Sequence, residues 1–337
     1  MASVHKLLLG LLLGFLLTAL PGPAVIRFLK HMDFRDMPRK EGSPAHQKKG
    51  GTPTMGGVFL LLGWFLASLV GVREGFSLVL PVLLVTVLCG LMGFLDDFLK
   101  IGRGDGIGLI PFQKALLQIV VSLLAAAWLY KSDAVGSAIT LPFSGKSWDM
   151  GFFYLPFAML VLMGTMNGVD LTDGLDGLAA GTSLLVQLGF VLLFALSSIR
   201  GGFAGWTGES ADFGGMAVYA AAGAGALMGF LLYNAYPARI FMGNTGSLAL
   251  GGAIAMEALV LKSPLLLLLM GVPFLISVLS VMFQGLSRKL RKGKRVLKMA
   301  PLHRHLELMG VSEPKITSLY MLLTGVCCAL SIYIFTK

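Results

Sequence analysis

Apolar residues occur in this chain as long blocks, not as the short alternations of a soluble fold, and the polar residues gather in the gaps. Runs of about 17–25 apolar residues, each long enough to cross a bilayer as a helix, recur along its length. Ten are read: Leu7–Phe28, Thr54–Val70, Phe76–Leu95, Pro111–Tyr130, Phe152–Met166, Leu178–Ser197, Met216–Tyr233, Ile240–Leu261, Pro264–Leu286 and Ile316–Phe335. The first has the outline of a secretory leader, but it runs past 20 residues and its small-residue patch, Ala19 to Ala24, holds two prolines. It is kept as a span. The pattern predicts an all-α polytopic membrane protein with about ten transmembrane helices, forming a single integral-membrane domain over residues 1–337.

Composition strengthens this picture. Hydrophobic residues make up 56% of the 337 and charged residues 13%, where a soluble domain carries roughly 25% charge. One globular core cannot hide that much apolar surface, so lipid is the solvent for most of it. The cysteines, Cys89, Cys327 and Cys328, are odd in number and sit in apolar runs, which implies neither a disulfide framework nor a zinc site.

The net charge of +10 invites a nucleic-acid reading, which its placement argues against. With ten spans, the loops after spans 1, 3, 5, 7 and 9 share one side and carry 20 of the 27 Lys and Arg. The positive-inside rule predicts that this side is cytoplasmic and that both termini are extracytoplasmic. No nucleic-acid partner is expected, and membrane lipid is. The opposite loops, Tyr130–Gly151 and Ser198–Gly214, read as plain connectors. The informative segments all fall on the basic side, in loops 29–53, 96–114, 167–177, 234–247 and 286–315.

Each of these segments has a chemical reading beside a bland one. The stretch from His46 through Lys48, Lys49, Thr52, Pro53, Thr54 and Met55 to Gly57 can offer backbone N–H and ammonium groups to phosphate oxygens, or be a turn with a membrane anchor. Asp96 and Asp97 close span 3, where the helix dipole disfavours negative charge and a carboxylate at a membrane boundary is costly unless held. They fit a magnesium site with a carboxylate free to act as base, or a solvated helix end. Asn167, Asp170, Asp173 and Asp176 recur every third residue in a glycine-rich loop with no basic residue, and so much negative charge with no cation in the segment favours function. Span 8 opens with Asn244 and Ser247, which suit metal or phosphate or a helix cap. Phe241, just before them, can stack on a base. The last loop, from Gln284 to Lys315, holds a basic run and then His303-Arg304-His305, which suits phosphate recognition or proton transfer. On one face, these segments make a phosphoryl-transfer kit.

Lys49-x-x-Thr52-Pro53-Thr54-Met55-Gly56-Gly57, Asp96-Asp97-x-x-Lys100, Asn167-x-x-Asp170-Leu171-Thr172-Asp173-Gly174-Leu175-Asp176-Gly177, Phe241-Met242-Gly243-Asn244-Thr245-Gly246-Ser247-Leu248 and Met299-Ala300-Pro301-Leu302-His303 together resemble the phospho-N-acetylmuramoyl-pentapeptide transferase family. That family belongs to the polyprenyl-phosphate N-acetylhexosamine-1-phosphate transferase superfamily. The match runs in order from about Arg27 to Pro314. The resemblance implies a magnesium-dependent enzyme of the bacterial plasma membrane, acting on UDP-N-acetylmuramoyl-pentapeptide and undecaprenyl phosphate to give lipid I and UMP. It implies Asp96 or Asp97 as base, His303 in or beside catalysis, and Asn244 and Asn167 as metal ligands. Lys49, Thr54, Lys100, Asp170, Asp173, Asp176, Asn234, Phe241, Gln284 and His305 would contact substrate. Span 9 would be bent, with Pro273 contributing a kink and a groove for the prenyl chain.

Three positions depart from the family pattern. Asn244 stands where Asp is usual, Asp170 where Asn is usual, and Arg304 interrupts a run of three histidines. A sister enzyme using UDP-N-acetylglucosamine is the closest rival, against which Gly51–Gly57 and Met299–His303 speak. A secondary transporter predicts charges near the midplane, whereas here the carboxylates cluster at one face and Glu257 is the clear exception. A non-catalytic scaffold is the third alternative. The sequence fixes no oligomeric state, with a homodimer one option.

Overall fold

The computed structural model describes residues 4–32, 34, 51–103, 108–142, 146–200, 210–291 and 293–336. Each apolar run is helical, because a segment in lipid must satisfy its backbone groups internally. In chain order the helices are α1 (Val4–Ala19), α2 (Gly22–His31), α3 (Gly57–Gly71), α4 (Phe76–Arg103), α5 (Pro111–Lys131), α6 (Tyr154–Thr172), α7 (Leu178–Arg200), α8 (Ser210–Asn234) and α9 (Gly243–Val260). A short α10 (Leu267–Met270), α11 (Val272–Leu290), α12 (Leu302–Leu308) and α13 (Glu313–Thr336) complete the set.

Among the described residues, seven helical stretches are long and apolar enough to cross a membrane, or eight if the bent pair Pro264–Met270 and Val272–Leu290 is one span. The two remaining predicted spans are helices of another kind. α3 has only 15 residues. α9 is buried at every residue from Thr245 to Val260, so close packing by Gly, Ala and Ser, not contact with lipid, sets its composition.

Three expectations change on the structure. The bend in span 9 is an 83° break at Gly271, and Pro273 lies in the first turn of α11, where its missing N–H costs no helical bond. The segment Tyr130–Gly151 is more than a connector: Ala138–Thr140 (β1) pairs antiparallel with Ser147–Asp149 (β2). Finally, much of the supposed loop chemistry is helical. α4 carries Asp96, Asp97 and Lys100 in its last turns, α6 carries Asn167 and Asp170, and α12 carries His303 and His305. Polar residues extend these helices because partners on neighbouring helices satisfy them.

α9 forms the centre, packed against α4, α6 and α3. The approach of α4 depends on Gly93, where any Cβ would run into the carbonyl of Asn244. One turn further along α4, that contact delivers Asp96 and Asp97 to the first residues of α9.

Candidate active site

The first turn of any α-helix leaves backbone N–H groups without intrahelical partners. In α9 a carboxylate from α4 takes them. Asp97 Oδ1 accepts from the Asn244 N–H at 3.1 Å, and its Oδ2 accepts from the Thr245 N–H at 2.9 Å and the Thr245 hydroxyl at 2.8 Å. Gly243 makes this fit possible, with φ +73° and a missing Cβ that would lie 2.6 Å from Asp97 Oδ2 and 3.1 Å from Thr54 Oγ1. Asp96 accepts from the Leu109 N–H at 2.8 Å and from the side-chain amide of Asn244. Lys100, one turn on, places Nζ 2.6 Å from Asp96 and 3.7 Å from Asp97. Both carboxylates are buried.

A second layer joins α5 and α6. Lys114 Nζ lies 2.7 Å from Asp170 Oδ2, while the Ser247 hydroxyl of α9 donates to Asp170 Oδ1 at 2.8 Å. One turn away on both helices, Gln118 and Asn167 exchange amide hydrogen bonds at 3.3 and 2.9 Å. The Pro53–Gly57 segment lies along Phe241 and Met242. Phe241 N–H donates to the Pro53 carbonyl at 2.8 Å, Gly56 to Phe241 at 2.9 Å and Gly57 to Met242 at 2.8 Å. Asn234, at the end of α8, donates to the Ile240 carbonyl at 3.0 Å and holds this loop closed.

The remaining acidic residues form a neighbouring group. Asp173 follows the last residue of α6. Asp176 accepts from the Ala238 N–H at 2.9 Å, and its own N–H donates to Glu313 at 2.6 Å. His303 is buried with its ring edge-on to Tyr320, their centroids 6.5 Å apart, and its Nε2 lies where a side chain on Gly174 would be. Neither imidazole nitrogen has a hydrogen-bond partner among the described residues. Burial, and then the charge of Arg304, pushes the His303 pKa down to about 3, so the ring is neutral at physiological pH. Gln284 holds the backbone of Val296 and Leu297, and His305 Nδ1 accepts from the Lys298 N–H at 3.1 Å. Lys49 lies outside the described residues.

The five segments singled out in the sequence therefore touch one another, linked through Phe241, Asn244, Ser247, Ala238 and Gly174. A model of glycosyl transferase family 4 matches residues 79–262. Over 326 residues the chain is 41% identical to the phospho-N-acetylmuramoyl-pentapeptide-transferase of Clostridium kluyveri, covering 96% of this chain and 98% of that one. It is 41% identical over 331 residues to the protein of that name from Halalkalibacterium halodurans, covering 97% of each. For that of Desulfitobacterium hafniense the identity is 38% over 329 residues, again with 97% of each chain covered. The chain belongs to this family.

Membership in the phospho-N-acetylmuramoyl-pentapeptide-transferase family directs attention to the proposed metal ligands, and here the geometry disagrees with the expectation. Asn167 spends its side-chain oxygen on Gln118. Asn244 turns its amide donor toward Asp96, and every oxygen of Asp96, Asp97 and Asp170 already accepts from a protein donor. No group of three His, Cys, Asp or Glu among the described residues converges on a point that could hold an ion. As arranged, these residues do not fit a divalent ion, which would have to displace the Lys100 ammonium. Sequence reasoning missed Gln118 and Thr245 and treated Lys114 as a topology charge. Their partners are 49, 148 and 56 residues away, beyond any local spacing rule.

Proposed function

We propose that this chain transfers phospho-N-acetylmuramoyl-pentapeptide from its UDP-activated form to undecaprenyl phosphate, giving lipid I and UMP. This is the first membrane step of peptidoglycan synthesis. Nearly full-length similarity to relatives of that name supports the reading. The observation that carries it is the junction of α4 and α9, where two buried carboxylates and a lysine meet a helix N-terminus. The site would face the cytoplasm of a bacterial plasma membrane, as the basic loops suggest.

In the reaction an oxygen of the lipid phosphate attacks the phosphorus that bears the sugar. A P–O bond forms there as the P–O bond to UMP breaks, and any proton on the attacking phosphate passes to a base. Asp96 suits the base. Two of its contacts, Asn244 and Lys100, are side chains that can move aside. Asp97 instead holds the first turn of α9, with three hydrogen bonds, and acts as a positioning residue. Lys100 and Lys114 meet phosphate charge, and neutral His303 can accept or donate a hydrogen bond beside the acidic turn.

The test is UMP release from UDP-N-acetylmuramoyl-pentapeptide by the purified full chain, with and without undecaprenyl phosphate. Lipid-dependent release, absent with UDP-N-acetylglucosamine, is the expected result. Release with the second nucleotide alone would assign the sister activity, and release with neither would overturn the reading.

A further inference from the structure

The departures at positions 244 and 170 have a common physical consequence. The Asn244 side chain touches Asp96 Oδ2 directly. A carboxylate at 244 would set two negative charges at contact distance, an arrangement that needs a cation or a proton between them. The amide replaces that need with a hydrogen bond. At the other position, Asp170 brings a negative charge that Lys114 meets at 2.7 Å, with Ser247 on its second oxygen. The remaining pair, Asp96 and Asp97, shares Lys100. The cluster thus sets two lysines against three carboxylates, and each carboxylate is held by donors of the protein itself.

We propose that a nucleoside diphosphate binds at this site without a divalent cation, its phosphate charge met by Lys100 and Lys114. The inference rests on the nucleotide-sugar transferase reading above. A lysine stem is flexible and its ammonium is a compact charge with three donors, so each can turn from its carboxylate to a phosphate oxygen. Each lysine then exchanges one anionic partner for another, while Asp96 and Asp170 keep the donors of Leu109, Asn244 and Ser247, and no metal needs to be recruited.

Titration of the full chain in micelles with UDP, in excess EDTA and in excess magnesium, tests this by calorimetry. The two dissociation constants should agree within about threefold. Lys114→Met and Lys100→Met should each weaken UDP binding about tenfold in EDTA, with little effect on uridine. Asn244→Asp, which restores the second carboxylate, should bind UDP about tenfold more weakly in EDTA than in magnesium. Wild-type binding at least about tenfold weaker in EDTA would overturn the proposal while leaving the transferase reading intact. Unchanged UDP affinity in both lysine variants would also overturn it. Binding of UDP in neither medium would overturn the nucleotide-site reading and this inference together. Should a lysine variant fail to fold, judged by its elution and unfolding profiles, the wild-type and Asn244→Asp titrations still decide.

Discussion

At the start of α9, Asp97 receives three hydrogen bonds and shares a lysine with its neighbour Asp96. About 18 Å along the same helix, Glu257 is fully buried and accepts one bond, from Gln187 at 2.9 Å, while the Oε1 atoms of both side chains lack partners among the described residues. The difference lies in what a helix can supply. First-turn N–H groups are spare donors, and the positive end of the dipole favours an anion there. In the last turn, where Glu257 sits, every N–H is already committed to the preceding turn and the negative end of the dipole disfavours an anion. A carboxyl there depends on whatever side chain a neighbour offers. A carboxylate at the first place is built into the fold; at the second it is close to unsupported. On the proposed function the first end is the one that carries the chemistry, and at the second the interior tolerates a polar pair.

The largest effects should come from separating Asp96 from Asp97. Asp96→Asn is expected to lower UMP release by about 10²-fold or more while changing stability by only about 1 kcal/mol, since an amide can keep part of its bonds. Asp97→Ala should lower release by a similar factor and also cost about 3–5 kcal/mol, because the donors at the start of α9 and Lys100 lose their acceptor. Thermal unfolding followed by fluorescence reads the second quantity. Equal stability losses for the two variants would erase the distinction between base and anchor.

The outline of the molecule was legible in the sequence because lipid imposes a one-dimensional rule: every predicted apolar run is a helix. The site was legible as five segments, since isolated carboxylates and glycines stand out against apolar flanks. The pairings were not. Lys114 with Asp170 and Gln187 with Glu257 join residues 56 and 70 apart, and no periodicity encodes such a contact. Helix ends were misplaced for the same reason, as at Asn167, whose partner is on another helix. Apolar composition alone did not show that α9 would be enclosed by protein on every side.

A smaller effect concerns His303, which leaves both ring nitrogens without a partner among the described residues. Its pKa is about 3 in the folded chain against an ordinary 6.5. Below the ordinary value the unfolded chain takes up a proton that the folded chain refuses, so stability should fall as pH drops from about 6.5 to about 5. Over that window His303→Gln should flatten the dependence of the unfolding midpoint on pH. An identical slope in wild type and variant would mean that the imidazole is charged, or solvated, in the folded state.

The smallest expected effect is the most informative about the far end of α9. Glu257→Gln keeps shape and keeps an oxygen for the Gln187 amide, so the unfolding midpoint should stay or rise slightly, within about 1 kcal/mol. UMP release should remain within about threefold, because Glu257 lies far from Asp96 and Asp97 along the helix. Gln187→Leu removes the donor and should cost about 1–3 kcal/mol. In Glu257→Gln the leucine removes the same donor from a different acceptor, so the two changes should fail to add. Strict additivity would show that the pair is uncoupled. A tenfold loss of UMP release in Glu257→Gln would have the larger consequence, because the buried carboxyl would then belong to the reaction and the contrast between the two ends of α9 would collapse.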